Sequence, residues 1–580
     1  MSTPKNLEKN DDQLARDPLA DVPEQIQVRK KKREQMLAQG RDPYPAELPI
    51  THTIHAVRER FSALEPGVET EEYVGIAGRV VLMRPSGKIA FVVLQAGDGE
   101  RLQAIFSLAN VGKDALDALK AEVDLGDFLF VHGYVGTSKR GELSVFAAAS
   151  SGSARTAVAD SEAGADADAV STIADTGTGA DAGTASFDES DGTSVSSDNA
   201  ADAGDAGKEI PAWMMASKAL RPLPKTYVTE SGEEMALNEE TRVRKRHLDL
   251  ITRQSARDMI RIRAAVMRSI RRTFEERGYL EIETPILQTL HGGAAARPFT
   301  THINAYDEDL YLRIATELYL KRAVVGGVDR VFEIGKNFRN EGADSSHSPE
   351  FSALEAYQAY ATYDTMAELT RAIVQNAALD AFGTLQVTLA DGSVYDLSGE
   401  WTNLDLYTSL SEAVGEQIDV HTPREQLVQL AQAHGIKVKD YAVNGKIAED
   451  IWEELVGSKL YAPTFVRDFP EDTSPLTRYH RSKPGLTEKW DLYIRGTETA
   501  TAYSELADPV VQRERLTAQS LEAANGDPEA MQLDEDFIEA MEQGFPPTGG
   551  MGMGIDRLLM ALTGLGIRET IAFPFVKQSS

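Results

Sequence analysis

A polar loop at residues 338–351 (FRNEGADSSHSPEF) lies between two stretches of apolar alternation, RVFEI at 330–334 and SALEAYQAY at 352–360. A period of two on both sides of a loop rich in Gly, Asp and Ser predicts two strands joined at that loop. Arg339 and Glu341 then sit at its mouth, and His347 and Phe351 on its return. A guanidinium, an imidazole and an aromatic face converging on one loop suit a phosphate, a ribose and a base. Arginine pairs bidentately with phosphate oxygens, and a flat ring can stack on a purine. The expectation is a nucleotide site built without a P-loop. Taken alone, the same stretch also fits an ordinary hairpin with solvated charges.

At 580 residues, without a detectable repeat and with 42% hydrophobic content, the chain can bury more than one core, so two domains are expected. No apolar run approaches the length of a membrane span, and the start (MSTPKNLEKNDDQ) has no signal-peptide core. A soluble, cytoplasmic protein is expected, with no membrane partner. The absence of cysteine excludes disulfides, cysteine nucleophiles and thiolate zinc sites. Carboxylates are then the ligands available for a hard cation, which points to Mg²⁺. The net charge of −31 argues against RNA binding until it is located. Residues 151–207 hold 12 Asp or Glu against one Arg, so 11 of the excess negative charges lie there. Local basic patches must carry any nucleic-acid contact.

Along the chain, residues 1–25 are polar and expected to be disordered. Residues 26–65 form an N-terminal helical segment, with a basic block VRKKKR at 28–33 and a stop at Gly40. Between 66 and 149, short β-runs appear: YVGIAGRVVLMR, KIAFVVLQ, RLQAIFS, FLFVHGYVGTS and ELSVFAA. A helical stretch at 113–123 lies between the third and fourth, and five strands so interrupted suggest an OB-fold barrel, a frequent binder of single-stranded nucleic acid. Phe91 could be a stacking platform or a core residue of its strand. Residues 150–210 are low-complexity Ala, Asp, Gly, Ser and Thr, too poor in apolar surface to offset the entropy of ordering, and read as a disordered acidic insertion.

Two further stretches combine with the loop. RGYLEIETP at 277–285 reads as a helix end and a strand closed by proline, and GGMGMGIDRLLM at 549–560 as a glycine-rich strand entering a helix with Arg557 at its start. In this order and spacing they resemble motifs 1, 2 and 3 of the class II aminoacyl-tRNA synthetases. HGGAAARPF, ATELYLKR, KWDLYIRG and LDEDF narrow the resemblance to the lysyl-tRNA synthetases of bacterial type. The implied fold class is α+β: an N-terminal OB-fold, then a class II catalytic domain, an antiparallel sheet flanked by helices, over 211–580. Family members usually run from the last barrel strand straight into the sequence matched here by SKALRPLP at 217–224, so the acidic insertion is a departure.

The resemblance implies ATP-dependent ligation of L-lysine to tRNA(Lys) through a lysyl-adenylate. By the same match, Arg339 bridges the amino-acid carboxylate and the α-phosphate, Arg557 faces the γ-phosphate, Phe351 stacks on adenine, and Glu341 and His347 touch the nucleotide. Asp491 and Glu498 match Mg²⁺ ligands. Glu317 matches the residue that pairs the α-amino group, while Glu355 and Glu505, with Tyr357 and Tyr503, match the side-chain pocket. Gly293 lets backbone approach the substrate. Thr501 stands where many relatives have Asn, and Ser346 where some have Arg. In the barrel, Phe91, Gln103 and Glu142 match anticodon-binding positions. Motif 1 implies a homodimer, and the N-terminal helix is implied to lie beside the tRNA; no DNA partner is implied. Two other readings compete: a paralogue that lysylates a protein, disfavoured because those relatives lack the barrel, and a regulatory RNA-binding pseudo-enzyme, disfavoured by the intact Arg339, Asp491, Glu498 and Arg557.

Overall fold

The computed structural model describes residues 23–149, 209–224, 237–344, 347–521 and 531–577, with backbone alone at 227–228, 234–235 and 522–524. The expected disorder of residues 1–25 and 150–210 lies outside the described residues at 1–22 and 150–208, as does the departure at Ser346, but Glu24 and Gln25 already belong to the first helix, Glu24–Ala38, and residues 209–210 are among those described. The chain divides into two compact units, with the boundary after Lys225. Among the described residues no helix is long and apolar enough to cross a membrane.

The first unit opens with α1 (Glu24–Ala38) and α2 (Ile54–Arg60), the second capped by the Thr53 side chain on Ala56 N. Strands β1 (Glu69–Ser86), β2 (Ile89–Gln95) and β3 (Arg101–Ser107) form an antiparallel meander. The helices α3 (Leu108–Val111) and α4 (Lys113–Glu122) then lead to β4 (Phe128–Thr137) and β5 (Leu143–Ala147). Parallel pairing of β3 with β5 and antiparallel pairing of β1 with β4 close the sheet into the expected barrel. Alternate residues Ala90, Val92, Leu94, Leu102, Ala104 and Phe106 fill its core.

A sixth strand corrects the expected domain boundary at 211. β6 (Trp213–Ser217), beyond the insertion, pairs with β4 and belongs to the barrel unit. The physical reason is a buried ion cluster: Lys218 Nζ, with no exposed side-chain surface, lies 2.7 Å from Asp127 and 2.6 Å from Asp124. Arg29 of α1 donates to the carbonyls of Leu125 and Ala219, and Lys32 pairs with Asp124 at 2.7 Å. Two members of the basic block therefore serve the fold rather than a surface field.

The second unit begins with a ribbon, β7 (Tyr227–Val228) with β8 (Glu234–Met235), and the helices α5 (Glu239–Arg244), α6 (Arg246–Thr252) and α7 (Gln254–Glu275). β9 (Leu280–Glu281) lies within motif 1 and is followed by a three-stranded sheet of β10 (Leu287–Gln288), β11 (Phe299–Ile303) and β12 (Glu308–Leu312), and by α8 (Glu317–Val325). β13 (Arg330–Phe338) and β14 (Glu350–Ala359) are the predicted hairpin, paired from Arg330–Gln358 to Phe338–Glu350. After α9 (Tyr363–Phe382) come the ribbon β15 (Gln386–Thr388) and β16 (Val394–Asp396), and β17 (Thr402–Asp405). A helical insert, α10 (Leu406–Val414), α11 (Arg424–Ala433) and α12 (Asn444–Leu455), has its own core around Trp452 and leads to β18 (Thr464–Arg467). β19 (Lys489–Ile494), β20 (Thr497–Ser504), α13 (Pro509–Ala524), α14 (Glu535–Glu542), β21 (Thr548–Gly554), α15 (Ile555–Thr563) and α16 (Ile567–Thr570) complete the unit.

The central sheet runs β17-β18-β19-β20-β21-β14-β13-β9. It is antiparallel except at the outer pairs β17–β18 and β13–β9. Its two faces differ by the period-two rule. Trp490, Ala502, Met551, Ala356 and Phe332 form one cross-strand row and enter the core under α7, α9 and α15. The alternate row, Asp491, Thr501, Gly552, Glu355 and Glu333, therefore lies on the other face.

Candidate active site

The sequence GGMGMG builds the floor of the site. Met551 and Met553 point into the core, so Gly550, Gly552 and Gly554 line up on the opposite face of β21. That strip has no side chains, and carboxylates, tyrosines and arginines from the flanking strands stand around it.

At one end, Gly550 is flanked in register by Tyr357 of β14 and Tyr503 of β20. Glu505 follows β20, and its carboxylate crowds the Gly550 position. Glu317 opens α8 and is buried, while Lys321, one turn later, donates to Glu317 Oε1 at 2.6 Å and lies 2.5 Å from Glu505 Oε2. Neither Glu505 oxygen makes an aligned hydrogen bond among the described residues, although the residue is 2% exposed. Gly293, at φ +82°, approaches so closely that a Cβ there would stand 3.0 Å from Glu317 Cβ. The expected role for glycine at this position, close backbone approach, has a geometric cause.

In the middle, Glu355 Oε1 accepts from Thr316 N at 3.0 Å, and Tyr357 Oη donates to Oε2 at 3.3 Å. Burial, reinforced by the Glu317 charge, pushes the Glu355 carboxyl up to about 7. Burial also raises Glu505, against the pull of Lys321. Across the floor Thr501 Oγ1 donates to Asp491 Oδ1 at 2.6 Å, so the residue standing in for Asn holds the carboxylate in place. Lys489 Nζ lies 3.3 Å from Asp491 Oδ2.

Glu498 reaches this face through a bulge. Leu492 pairs with Ala500 but Tyr493 with Glu498, so Thr499 is the extra residue of β20. Strict alternation would turn Glu498 away from Thr501; the bulge returns it to the face of Asp491. The hairpin between β19 and β20 turns on Arg495 and Gly496, both at positive φ, as a tight two-residue turn requires. Burial, the Glu498 charge adding to it, raises the Asp491 carboxyl above its ordinary range. Two acidic side chains repelling across a groove, one of them buried, is a donor set suited to a hard divalent cation.

At the other end, Arg339 leaves β13 with its guanidinium 5.2 Å from the centroid of the Phe351 ring and with Nε unpartnered among the described residues. Arg557, in the first turn of α15, donates to the Glu498 carbonyl at 2.9 Å and lies 3.4 Å from His347 Nε2. Glu341 Oε1 accepts from Arg297 N at 3.4 Å at the loop mouth. The site residues expected in the second unit thus gather around one glycine floor. Not expected were Lys321 and Lys489, and the supporting pairs Arg313–Glu333 at 2.5 Å and Arg263–Asp556 at 2.6 Å. Arg263 also donates to Ser352 Oγ, and Ser352 N to Asp556, which ties α7, β14 and α15 together beneath the site. An i, i+4 Glu-Lys pair in ELYLK was the only sequence signal for Lys321.

In the barrel unit Phe91 is half-buried and alternates with the core residues Ala90 and Val92, which places it on the outer face. Gln103, on the adjacent strand and the same face, donates to Ser144 Oγ at 3.0 Å, and Ser144 Oγ donates to the Glu142 carbonyl at 3.0 Å. The three expected nucleic-acid contacts therefore share one region of the barrel.

Comparison with known proteins gives a match to each of the two units. Residues 238–577 match the family of class II tRNA synthetases (D, K and N), and residues 74–149 the OB-fold nucleic acid binding domain. The chain is 54% identical to the lysine–tRNA ligase of Kineococcus radiotolerans, over 96% of this chain and 98% of that one. It is 53% identical to the lysine–tRNA ligase of Mycolicibacterium gilvum, over 97% and 98% of the two chains. With lysine–tRNA ligase 1 of Mycobacterium tuberculosis the identity is 51%, over 98% and 99%. It also matches 43% of the length of a lysylphosphatidylglycerol biosynthesis bifunctional protein of Nocardia farcinica, at 42% identity. With the barrel, the antiparallel sheet and all three motifs in place, the chain belongs to the class II tRNA synthetases of the D, K and N type, and within them to the lysine–tRNA ligases.

Proposed function

We propose that this chain joins L-lysine to tRNA(Lys) in two ATP-dependent steps on the glycine floor. In the first, a lysine carboxylate oxygen attacks the α-phosphorus of ATP, the α–β phosphoanhydride bond breaks, and pyrophosphate leaves. In the second, a terminal tRNA hydroxyl attacks the lysyl carbonyl, and AMP leaves. Such chemistry asks for positioning and charge stabilisation more than for a strong base. Arg339 is proposed to bridge the carboxylate and the α-phosphate, and Arg557 to take the γ-phosphate. Phe351 is assigned to adenine, with Glu341 and His347 on the nucleotide. Asp491 and Glu498 would hold Mg²⁺, which when bound neutralises the phosphate charge.

Lysine selection is carried by one observation: Glu317 and Glu505, both buried, and the half-buried Glu355 stand together beside Gly550 and Gly552. Glu317 is assigned to the α-ammonium and Glu355 and Glu505, with Tyr357, Thr501 and Tyr503, to the side-chain end. A neutral or acidic amino acid would leave these carboxylates unpaired, a discrimination of about 10⁴-fold or more where buried polar groups lose their partner. On the barrel, Phe91, Gln103 and Glu142 are assigned to the anticodon. Motif 1 supports a homodimer, because Leu280 on the edge strand β9 stands 59% exposed, with Ile286 and Leu287 a few residues further along the chain at 44% and 50%. The substrates imply work in the cytoplasm. Lysine-dependent pyrophosphate exchange and charging of purified tRNA(Lys) test the reading; pure, folded protein with no lysine-dependent exchange refutes it.

A further inference from the structure

We infer that Lys321 is a specificity-determining positioning residue: an internal counter-ion that keeps Glu317 and Glu505 ionised and aimed inward, so that the pocket takes a diammonium amino acid. The inference rests on the lysine reading above. It goes beyond that reading by giving a role to a side chain that never needs to touch the substrate.

Lys321 is 1% exposed. Its ammonium lies 2.6 Å from Glu317 on its own helix and 2.5 Å from Glu505 at the end of β20, and 5.9 Å from the centroid of the Tyr357 ring. A buried ammonium without partners is strongly unfavourable, and so is a pair of buried carboxylates without a cation between them. Lys321 therefore links helix and sheet through charge. Burial works against its charge, yet the two carboxylates hold its pKa above the ordinary lysine value, so it stays a cation. Glu505 Oε1 has no hydrogen-bond partner among the described residues and crowds the side-chain-free position at Gly550.

The charge count then selects the substrate. Glu317, Glu355 and Glu505 against the single Lys321 leave the ionised pocket short of two positive charges. Free lysine brings two, its α- and ε-ammonium groups, while its carboxylate is left to Arg339. A monoammonium amino acid leaves one buried carboxylate uncompensated. Without Lys321 the glutamates repel one another and take up protons, which removes the charge that reads the substrate. Among the described residues, the titratable groups facing Glu505 are Lys321, Glu317, Glu355 and Tyr357. Arg478, Arg481 and Glu488 line a separate cavity on its far side.

The test is Lys321→Met, which keeps length and apolar bulk, beside Lys321→Arg, assayed by pyrophosphate exchange across pH. Lys321→Met should raise the KM for lysine about tenfold or more, since it unpairs a buried charge. The KM for ATP should change little, and the acidic limb of kcat/KM for lysine should move to higher pH. Lys321→Arg should recover most of the loss. An active Lys321→Met enzyme with the original lysine KM and pH profile overturns the proposal, as does a pH-independent loss shared equally by lysine and ATP. If the variant does not fold, the unmodified chain decides. Lys321 should resist reductive methylation under conditions that modify Lys113, whose side chain is 77% exposed. Modification of Lys321 as fast as Lys113 in the folded protein overturns the inference. Failure of the lysine reading looks different, because the unmodified chain would then give no lysine-dependent exchange.

Discussion

Replacing Gly550 by alanine tests whether the bare floor is what admits lysine. A Cβ at Gly550 would overlap Glu505 Oε1 and stand 2.5 Å from Tyr357 Cε1 and 2.7 Å from Cδ1. Neither neighbour can give way freely. Tyr357 is 3% exposed, and Glu505 is held 2.5 Å from the Lys321 ammonium. Overpacking of this kind costs about 1–3 kcal/mol. If that cost is met by moving the carboxylate that reads the ε-ammonium, kcat/KM for lysine should fall by about 10–100-fold, at 1.4 kcal/mol per decade. Gly552→Ala is the internal control for folding, because its nearest atoms would be Thr501 Cγ2 at 3.8 Å and Glu355 Cγ at 3.9 Å, ordinary contacts. It should leave thermal stability near that of the parent protein while standing in the path of the substrate. Pyrophosphate exchange with lysine and ATP titrated separately, together with thermal unfolding, reads both variants. Gly550→Ala with an unchanged KM for lysine would refute the assignment of Glu505 and Tyr357 to the pocket.

Three further outcomes follow from the same geometry. Glu355, its carboxyl pushed up to about 7 by burial, is partly protonated near neutrality, and a dication displaces that proton, so lysine binding near pH 7 should release protons. Binding heats should then vary with the ionisation enthalpy of the buffer, and identical heats in phosphate and Tris would contradict this. The sign for stability is opposite to that of an ordinary salt-bridged acid: the folded state binds the extra proton, so this contribution is present at low pH and is lost as pH rises through about 7. Asp491→Asn should raise the Mg²⁺ concentration needed for half-maximal exchange about tenfold or more, because a charged ligand is lost; an unshifted magnesium curve would remove Asp491 from the metal site. Phe91→Ala should lower kcat/KM for tRNA charging about tenfold or more, from loss of stacking on a base. Exchange without tRNA should be unaffected, and a loss in both assays would point to the fold instead.

Much of the site was legible in the sequence wherever chemistry and local periodicity coincide. The hairpin of Arg339 and Phe351 stands where alternation broke into a polar loop, and the GGMGMG run reads directly as glycines on one face and methionines on the other. Strand alternation depends only on neighbours along the chain, so these features need no tertiary knowledge. The barrel's five strands and intervening helix were readable for the same reason. The boundary at 211 was misplaced because β6 has no local mark of the sheet it joins; that is settled by pairing with β4 and by Lys218 reaching Asp127.

Tertiary structure alone decided the rest. Strict period-two counting puts Glu498 on the wrong face, and only the bulge at Thr499 brings it beside Asp491. Lys321 and Glu505 come from a helix and a strand far apart in the chain, and nothing near either residue records the 2.5 Å between them. Residue type and backbone period are properties of the chain alone, so the glutamates, arginines and glycines of the site and the alternation of the regular strands are written in it. The charge each group carries was decided by the fold, because burial and the distance to other charges set ionisation, and both exist only once the strands have met.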